Sequence, residues 1–258
     1  MTPFFIWKRF LLAIILLFLF FPLYRFHLAL LFTGHLGIFI FGVKNIQLQF
    51  FGKVYHKAQV QSHKIAITFD DGPDPDLTDD ILKILKKHSI TATFFVIGIK
   101  AKKHPSIVKK CYEAGHIIAC HDLNHSVFSN FRITKFLLSD IVESQKIIEN
   151  IIGKKPLLYR PPVGLMNPHT LKALTYLNMK CIGWSRSVVD AGNRRLKKIL
   201  QIHDLAKNGE VILLHDALPN SDYKKYILGQ LNELCVSIQQ KKLEPVTVDT
   251  MFSLQAYE

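Results

Sequence analysis

Lys64-Ile65-Ala66-Ile67-Thr68-Phe69-Asp70-Asp71-Gly72-Pro73 decides the fold. Lys64 to Phe69 is a short apolar, β-rich run that ends at a turn signal, so it reads as a strand. Asp-Gly-Pro-Asp-Pro after it is rich in turn formers, and alone it reads as a plain turn. The strand changes that reading, because it delivers Asp70 and Asp71 side by side at its end. Neighbours on a strand diverge, so one carboxylate can ligate a metal while the other takes a proton from water.

Outward from this strand the chain alternates. Leu77 to His88 has helical spacing, with Leu77, Ile81, Ile84 and Leu85 on one face. Strands are predicted at Ala92 to Ile97, His116 to Ala119, Leu157 to Tyr159, Met179 to Trp184, Glu210 to Leu214 and Pro245 to Val248. Helices are predicted at Lys102 to Ala114, Thr134 to Ile152, Asn167 to Leu177, Arg194 to Lys207 and Tyr223 to Gln240. About seven such units predict an α/β protein with a parallel sheet closed into a barrel. The polar motifs then fall at the C-terminal ends of the strands, where barrel enzymes carry their catalytic groups. The predicted division is a membrane anchor over residues 1–48, a junction over 49–63 and a catalytic domain over 64–258.

The N-terminus carries the excess apolar content behind a mean hydropathy of +0.17. Phe10 to Tyr24 and Phe26 to Val43 are free of charge, Arg25 separates them, and the first acidic residue is Asp70. A buried core helix would have to hide both runs, so a retained anchor is the better reading. Lys8 and Arg9 favour a cytoplasmic N-terminus. One span, the preferred reading, then places the domain outside the cytoplasm; two spans or a re-entrant hairpin return it to the cytoplasmic face.

The net charge is +13. It fits a solvated basic surface, or attraction to anionic lipid or glycan. The chain has no aromatic-basic platform and no reader motif, which argues against nucleic acid. Cys111, Cys120, Cys181 and Cys235 form no CxxC pair, and Cys120 reads as a buried thiol rather than a ligand beside His121.

Further motifs follow the other strands. His121 and His125 are four apart, which on a helical turn faces two imidazoles to one ion. Such a pair alone is weak and by default reads as two exposed histidines; Asp71 supplies a third ligand and leaves positions open for water and substrate. Zn²⁺ suits this set best, with Co²⁺ or another divalent ion also compatible. Arg160, ahead of Pro161 and Pro162 in a stiff loop, is either a surface arginine or a bidentate partner for Asp70. Trp184 reads as a core tryptophan or as a wall against a sugar ring or acyl methyl. Asp190 is a loop carboxylate or the orienter of a catalytic histidine. His215, after Val211 to Leu214, is a strand-capping histidine or a general acid. Asp216 is a second orienter or a solvated residue.

Thr68 to Pro73, His121/His125, Arg160 to Gly164, Trp184/Asp190 and Leu213/His215, taken in order, resemble the five motifs of the polysaccharide deacetylases, carbohydrate esterase family 4. The resemblance covers Lys64 to Val248 and implies a distorted (β/α) barrel with fewer than eight units. It implies Asp71, His121 and His125 as the metal triad, Asp70 as the base and His215 as the acid. It further implies Arg160 as partner of Asp70, Asp190 as partner of His215, and Leu213 and Trp184 as walls of the acetate pocket. One departure is Asp122, where the family usually has Ser or Thr after the first histidine.

Three functions are open at this point. The first is a metal-dependent N-deacetylase of an N-acetylated cell-envelope glycan. The second is a deformylase or deacetylase of a lipid-linked amino sugar. The third is a membrane-anchored glycan-binding protein without activity, which the intact set of acid, base and ligand positions disfavours.

Overall fold

A computed structural model describes residues 2–21, 24–59, 63–126, 132–187, 205–218 and 223–258. In chain order its helices are α1 (Pro3–Phe20), α2 (Arg25–Lys44), α3 (Thr78–Lys87), α4 (Gly98–Lys103), α5 (Pro105–Glu113), α6 (Thr134–Ile152), α7 (Pro168–Tyr176), α8 (Lys224–Gln240) and α9 (Val248–Phe252). The strands are β1 (Lys64–Asp70), β2 (Thr93–Val96), β3 (Ile117–Cys120), β4 (Leu158–Tyr159), β5 (Lys180–Cys181), β6 (Arg186–Ser187), β7 (Val211–His215) and β8 (Glu244–Pro245).

The strand order is β5-β4-β3-β2-β1-β7-β6, all parallel, with β8 on the start of β1. β5 and β6 end this path on opposite sides, yet only residues 182–185 separate them. A chain spans at most about 3.5 Å per residue, so the two edges lie within ~18 Å and the sheet curls into a distorted barrel. Tyr55 of the junction pairs with Ile182 inside this connection.

Strand alternation sorts the side chains. Ile65, Ile67 and Phe69 of β1, Phe94 of β2, Ile118 and Cys120 of β3, and Ile212 and Leu214 of β7 face outward into the layer between sheet and helices. Ala66, Phe95, Ala119, Leu158, Ile182 and Val211 face inward, closed from below by Val248 and Met251 of α9. Helices cover the outer layer with one apolar face: Ile81, Leu82 and Leu85 on α3, and Leu137, Ile141 and Ile148 on α6.

Three elements differ from the periodicity reading. The helix predicted over Lys102 to Ala114 breaks at His104, because Pro105 disfavours helical backbone before it and opens α5 instead. The strand predicted over Met179 to Trp184 pairs with β4 only at β5. The strand predicted over Pro245 to Val248 is β8 followed by α9. The helix predicted over Arg194 to Lys207 falls outside the described residues except for 205–207.

The two apolar runs form α1 and α2, 18 and 20 residues long, packed antiparallel. The ring of Phe4 meets those of Phe39, Phe50 and Phe51, and the Trp7 indole N–H donates to His35 O at 2.9 Å. The start of α1 therefore packs where the chain leaves α2. Among its described residues Ile14, Leu28 and Gly42 are buried and nearly all the rest exposed, so these are not core helices of a soluble domain. Both are long and apolar enough to cross a membrane.

Candidate active site

The inward stripe of each central strand turns functional one pleat above its apolar residue. Ala66 is followed by Thr68 and Asp70, Ala119 by His121, Leu158 by Arg160, Ile182 by Trp184, and Val211 by Leu213 and His215. Register then decides who meets whom. β1 and β7 set Asp70 opposite His215 and Thr68 opposite Leu213, and the Asp216 N–H donates to Asp70 O at 3.0 Å.

Arg160 is fully buried. Its Nη1 donates to Asp70 Oδ1 at 2.7 Å and to Thr68 Oγ1 at 2.8 Å, its Nη2 to Gly183 O at 2.8 Å, and its Nε to Ile182 O at 3.3 Å. The Phe95 ring lies 4.0 Å beneath the guanidinium carbon. The expected bidentate clamp is thus a single contact to Asp70, because the rest of the fork satisfies carbonyls where β5 leaves the sheet. Burial lowers the Arg160 pKa against the pull of Asp70. With one oxygen held by Arg160, Asp70 turns Oδ2 toward His121, 3.7 Å from its Nε2.

Asp71 sits in the left-handed region at φ 71°. Its Oδ1 lies 3.4 Å from His121 Nε2 and 3.2 Å from His125 Nε2, so both carboxylates approach His121. The Lys100 ammonium donates to Asp71 O at 2.8 Å. The two histidines are not on a helical turn, as their spacing suggested, but on a loop after β3. Left-handed backbone at Asp122 (φ 67°) and His125 (φ 52°) folds that loop back, and the imidazole centroids come to 5.0 Å. The Gly98 and Ile99 N–H groups at the start of α4 donate to Asp122 O and Leu123 O, both at 3.0 Å.

These donors fit a cation. His121 Nδ1 is 2.8 Å from Arg160 O, which can only accept, so Nδ1 carries the proton and Nε2 offers a lone pair. That lone pair faces Asp71 Oδ1, which is buried and has no hydrogen-bond partner. Two electron-rich atoms this close require positive charge between them. Burial pulls the His121 pKa down, but Asp70 and Asp71 outweigh burial and raise it. Burial pushes the Asp71 carboxyl up, yet the close approach and charge of His121, with the charges of His125 and His215, hold it well below the usual carboxylate range. Burial and the His121 charge lower His125. Asp71, His121 and His125 bring one ligand atom each within 4.8 Å of one another.

Trp184 packs across Gly164, where an added Cβ would lie 2.2 Å from its ring, and its indole is 5.7 Å from the Arg160 guanidinium carbon. Leu213 is buried on the inward stripe just below His215. Asp190 lies outside the described residues. Cys120 points outward, away from the neighbouring His121, and all four cysteines are buried free thiols.

Sequence reasoning gave no role to Thr68, Gly72 or Lys100 and left Asp216 open between an orienter and a solvated residue. Thr68 donates to Ile212 O at 2.8 Å and holds its oxygen under Arg160. Asp216 is fully enclosed rather than solvated; it accepts from the Thr78 hydroxyl at 3.0 Å, and burial with Asp71 and Asp70 nearby pushes its pKa well above the ordinary value. A Cβ on Gly72 would fall 2.0 Å from Asp216 Oδ2, so a glycine is needed there. Position within the first and last motifs was the only sequence signal for Thr68 and Asp216; Lys100 carried none.

The sequence profile of the family described as "Polysaccharide deacetylase" matches residues 57–182. A peptidoglycan-N-acetylglucosamine deacetylase of Bacillus cereus is 38% identical over 155 residues, which are 59% of this chain and 72% of that protein. A chitooligosaccharide deacetylase of Azorhizobium caulinodans is 35% identical over 170 residues, 65% of this chain and 80% of that protein. The crystal structure of a peptidoglycan N-acetylglucosamine deacetylase in complex with 4-naphthalen-1-yl-N-oxidanyl-benzamide superimposes with a TM-score of 0.69 at 27% identity, covering 79% of this chain and 94% of the other. The chain belongs to the polysaccharide deacetylases, and its fold is the barrel of that family. It is a hydrolase of non-peptide carbon–nitrogen bonds.

Proposed function

We propose that the chain removes the acetyl group from an N-acetylated amino sugar of a cell-envelope glycan. One observation carries the reading: Arg160 pins one oxygen of Asp70, and the other faces the Asp71–His121–His125 cluster. The activities named for the Bacillus cereus and Azorhizobium relatives agree with it.

Asp71, His121 and His125 would hold a divalent ion; Zn²⁺ fits a set of one carboxylate and two neutral imidazoles best, and Co²⁺ is also compatible. When bound, it acts as a Lewis acid toward the amide carbonyl and water. Asp70, oriented by Arg160, takes a proton from the attacking water as that water adds to the carbonyl carbon. His215, across the β1–β7 pair from Asp70, protonates the departing amine. Trp184 and Leu213 enclose the acetyl methyl. Products are acetate and a free amino sugar.

The test is acetate release by the full chain from chitooligosaccharide and peptidoglycan. Chelator should abolish release, and Zn²⁺ or Co²⁺ should restore it. Release that survives with no metal bound would overturn the metal assignment; no release from either glycan in metal-loaded protein would remove them as substrates.

The antiparallel hairpin supports two spans rather than one. Two spans return the chain to the side of its N-terminus, where Lys8, Arg9, Lys44 and Lys53 outnumber Arg25 near the far end. That asymmetry favours the cytoplasmic face for the catalytic domain. A reporter fused after Glu258 decides: fluorescence of a cytoplasm-active reporter is expected, and activity of a periplasm-active one would reverse the placement.

A further inference from the structure

We propose that the catalytic face rests on the bilayer surface, and that the substrate is an N-acylated amino sugar carried on a lipid. This rests on the deacetylase reading above and names its substrate class.

The hairpin base is built into the wall of the active site. Met166, in the chain that follows Arg160 to Gly164, donates its N–H to Val43 O near the end of α2, at 3.3 Å. Gln47 Nε2 donates to Trp184 O at 2.8 Å. Ile46 is buried, and a Cβ on Gly183 would lie 3.8 Å from its side chain. α1 and α2 are about 27 and 30 Å long, against a hydrocarbon core of ~30 Å. A hairpin of that length, leaving the domain beside Arg160 and Trp184, brings the mouth of the site to the membrane surface.

The rim of the same face is apolar. Among the described residues beyond the hairpin, the exposed large hydrophobic side chains are Leu48, Ile99, Ile133, Phe136, Val163 and Tyr176. Single exposed apolar residues are ordinary and scatter over a surface. Here five of the six lie in segments that follow site-bearing strands in the chain or in the hairpin base. Ile99 follows β2, Ile133 and Phe136 open α6 after the His121 loop, Val163 follows Arg160, and Leu48 adjoins Gln47. Tyr176 alone lies elsewhere, at the end of α7. Lys8, Arg9, Lys44 and Lys53 lie around the hairpin base, and no acidic residue precedes Asp70. Such a base is complementary to anionic head groups. A polymer strand would have to slide between this face and the head groups, whereas a sugar on a lipid reaches the Asp71–His121–His125 cluster with its tail still in the bilayer.

The test uses full-length, metal-loaded protein in phosphatidylglycerol vesicles. An equimolar mixture of hexadecyl N-acetylglucosaminide in the vesicles and chitotetraose in solution is offered, and the initial rate on each is read by mass spectrometry. Confinement to one surface raises effective concentration, so a preference of about 100-fold for the glycolipid is expected. Ile99→Glu/Phe136→Glu changes two exposed positions and should lower that ratio about tenfold with an unchanged melting temperature. Equal rates on both substrates would overturn the lipid proposal and leave the deacetylase reading standing, as would a ratio indifferent to the rim substitutions. Deacetylation of neither substrate would sink both.

Discussion

At the level of Ala66, Ala119, Leu158, Ile182 and Val211 the barrel interior is lined by apolar side chains. One pleat higher the same strands carry Thr68 and Asp70, His121, Arg160, Trp184, Leu213 and His215. The lower level is stable by exclusion of water, and α9 seals it. The upper level inherits that dryness and must satisfy its charges internally. Arg160 therefore spends four hydrogen bonds on the protein, and His121 meets a backbone carbonyl on one side and carboxylates on the other. A dry floor is what makes the ions above it strong, because low polarisability magnifies each pairing and penalises each omission.

The comparison breaks most sharply at Asp70. Asp70→Asn should lower kcat by about 10²- to 10⁴-fold, the range of a lost general base, while metal content stays near wild type; the melting temperature should fall, because the buried Arg160 loses its counter-charge. Loss of metal would make Asp70 a ligand instead. Arg160→Met leaves Asp70 buried and unpaired and should cost about 3–5 kcal/mol of stability. Adding Asp70→Asn should recover part of that in denaturant titrations; strictly additive losses would show that the pair is not coupled. Below the divide, Leu158→Ala should destabilise by about 3 kcal/mol through cavity formation yet leave kcat per folded molecule unchanged. A large kcat loss there would mean the floor shapes the site directly.

The smallest effect concerns His116, just before β3. The Ala92 N–H donates to its Nδ1 at 3.1 Å, and burial pulls its pKa from 6.5 to about 4. The unfolded chain binds a proton that the folded chain refuses, so stability is full above pH ~6.5 and falls as pH drops toward 4. The loss between pH 7 and pH 5 is about 2 kcal/mol from this group. His116→Gln should flatten that part of the stability–pH curve; an unchanged slope would assign it to other groups.

Much of this plan was legible in the sequence. Turn-bounded apolar runs located the major strands, and helical spacing located α3, α6 and α8. Local pattern suffices there because each element buries one periodic face. It failed between Met179 and Ser187, where one segment serves both edges of the curled sheet and its pairing depends on partners far away in sequence. It also misread the His121–His125 spacing, since a four-residue step reads as a helical turn until left-handed backbone at Asp122 and His125 makes it a folded loop. Thr68 looked like one more β-former, and its hydroxyl matters only because Arg160 lies under β1.

By itself the sequence determined the α/β class, the apolar N-terminus and the family, all of which depend on residue type and short-range period. Only the tertiary structure decided which oxygen of Asp70 is held, which nitrogen of His121 is exposed to a ligand, and that α1 and α2 return to the rim of the site. Those outcomes depend on register between strands and on where distant segments close, and a pairing shifted by one residue would turn each of these side chains to the other face.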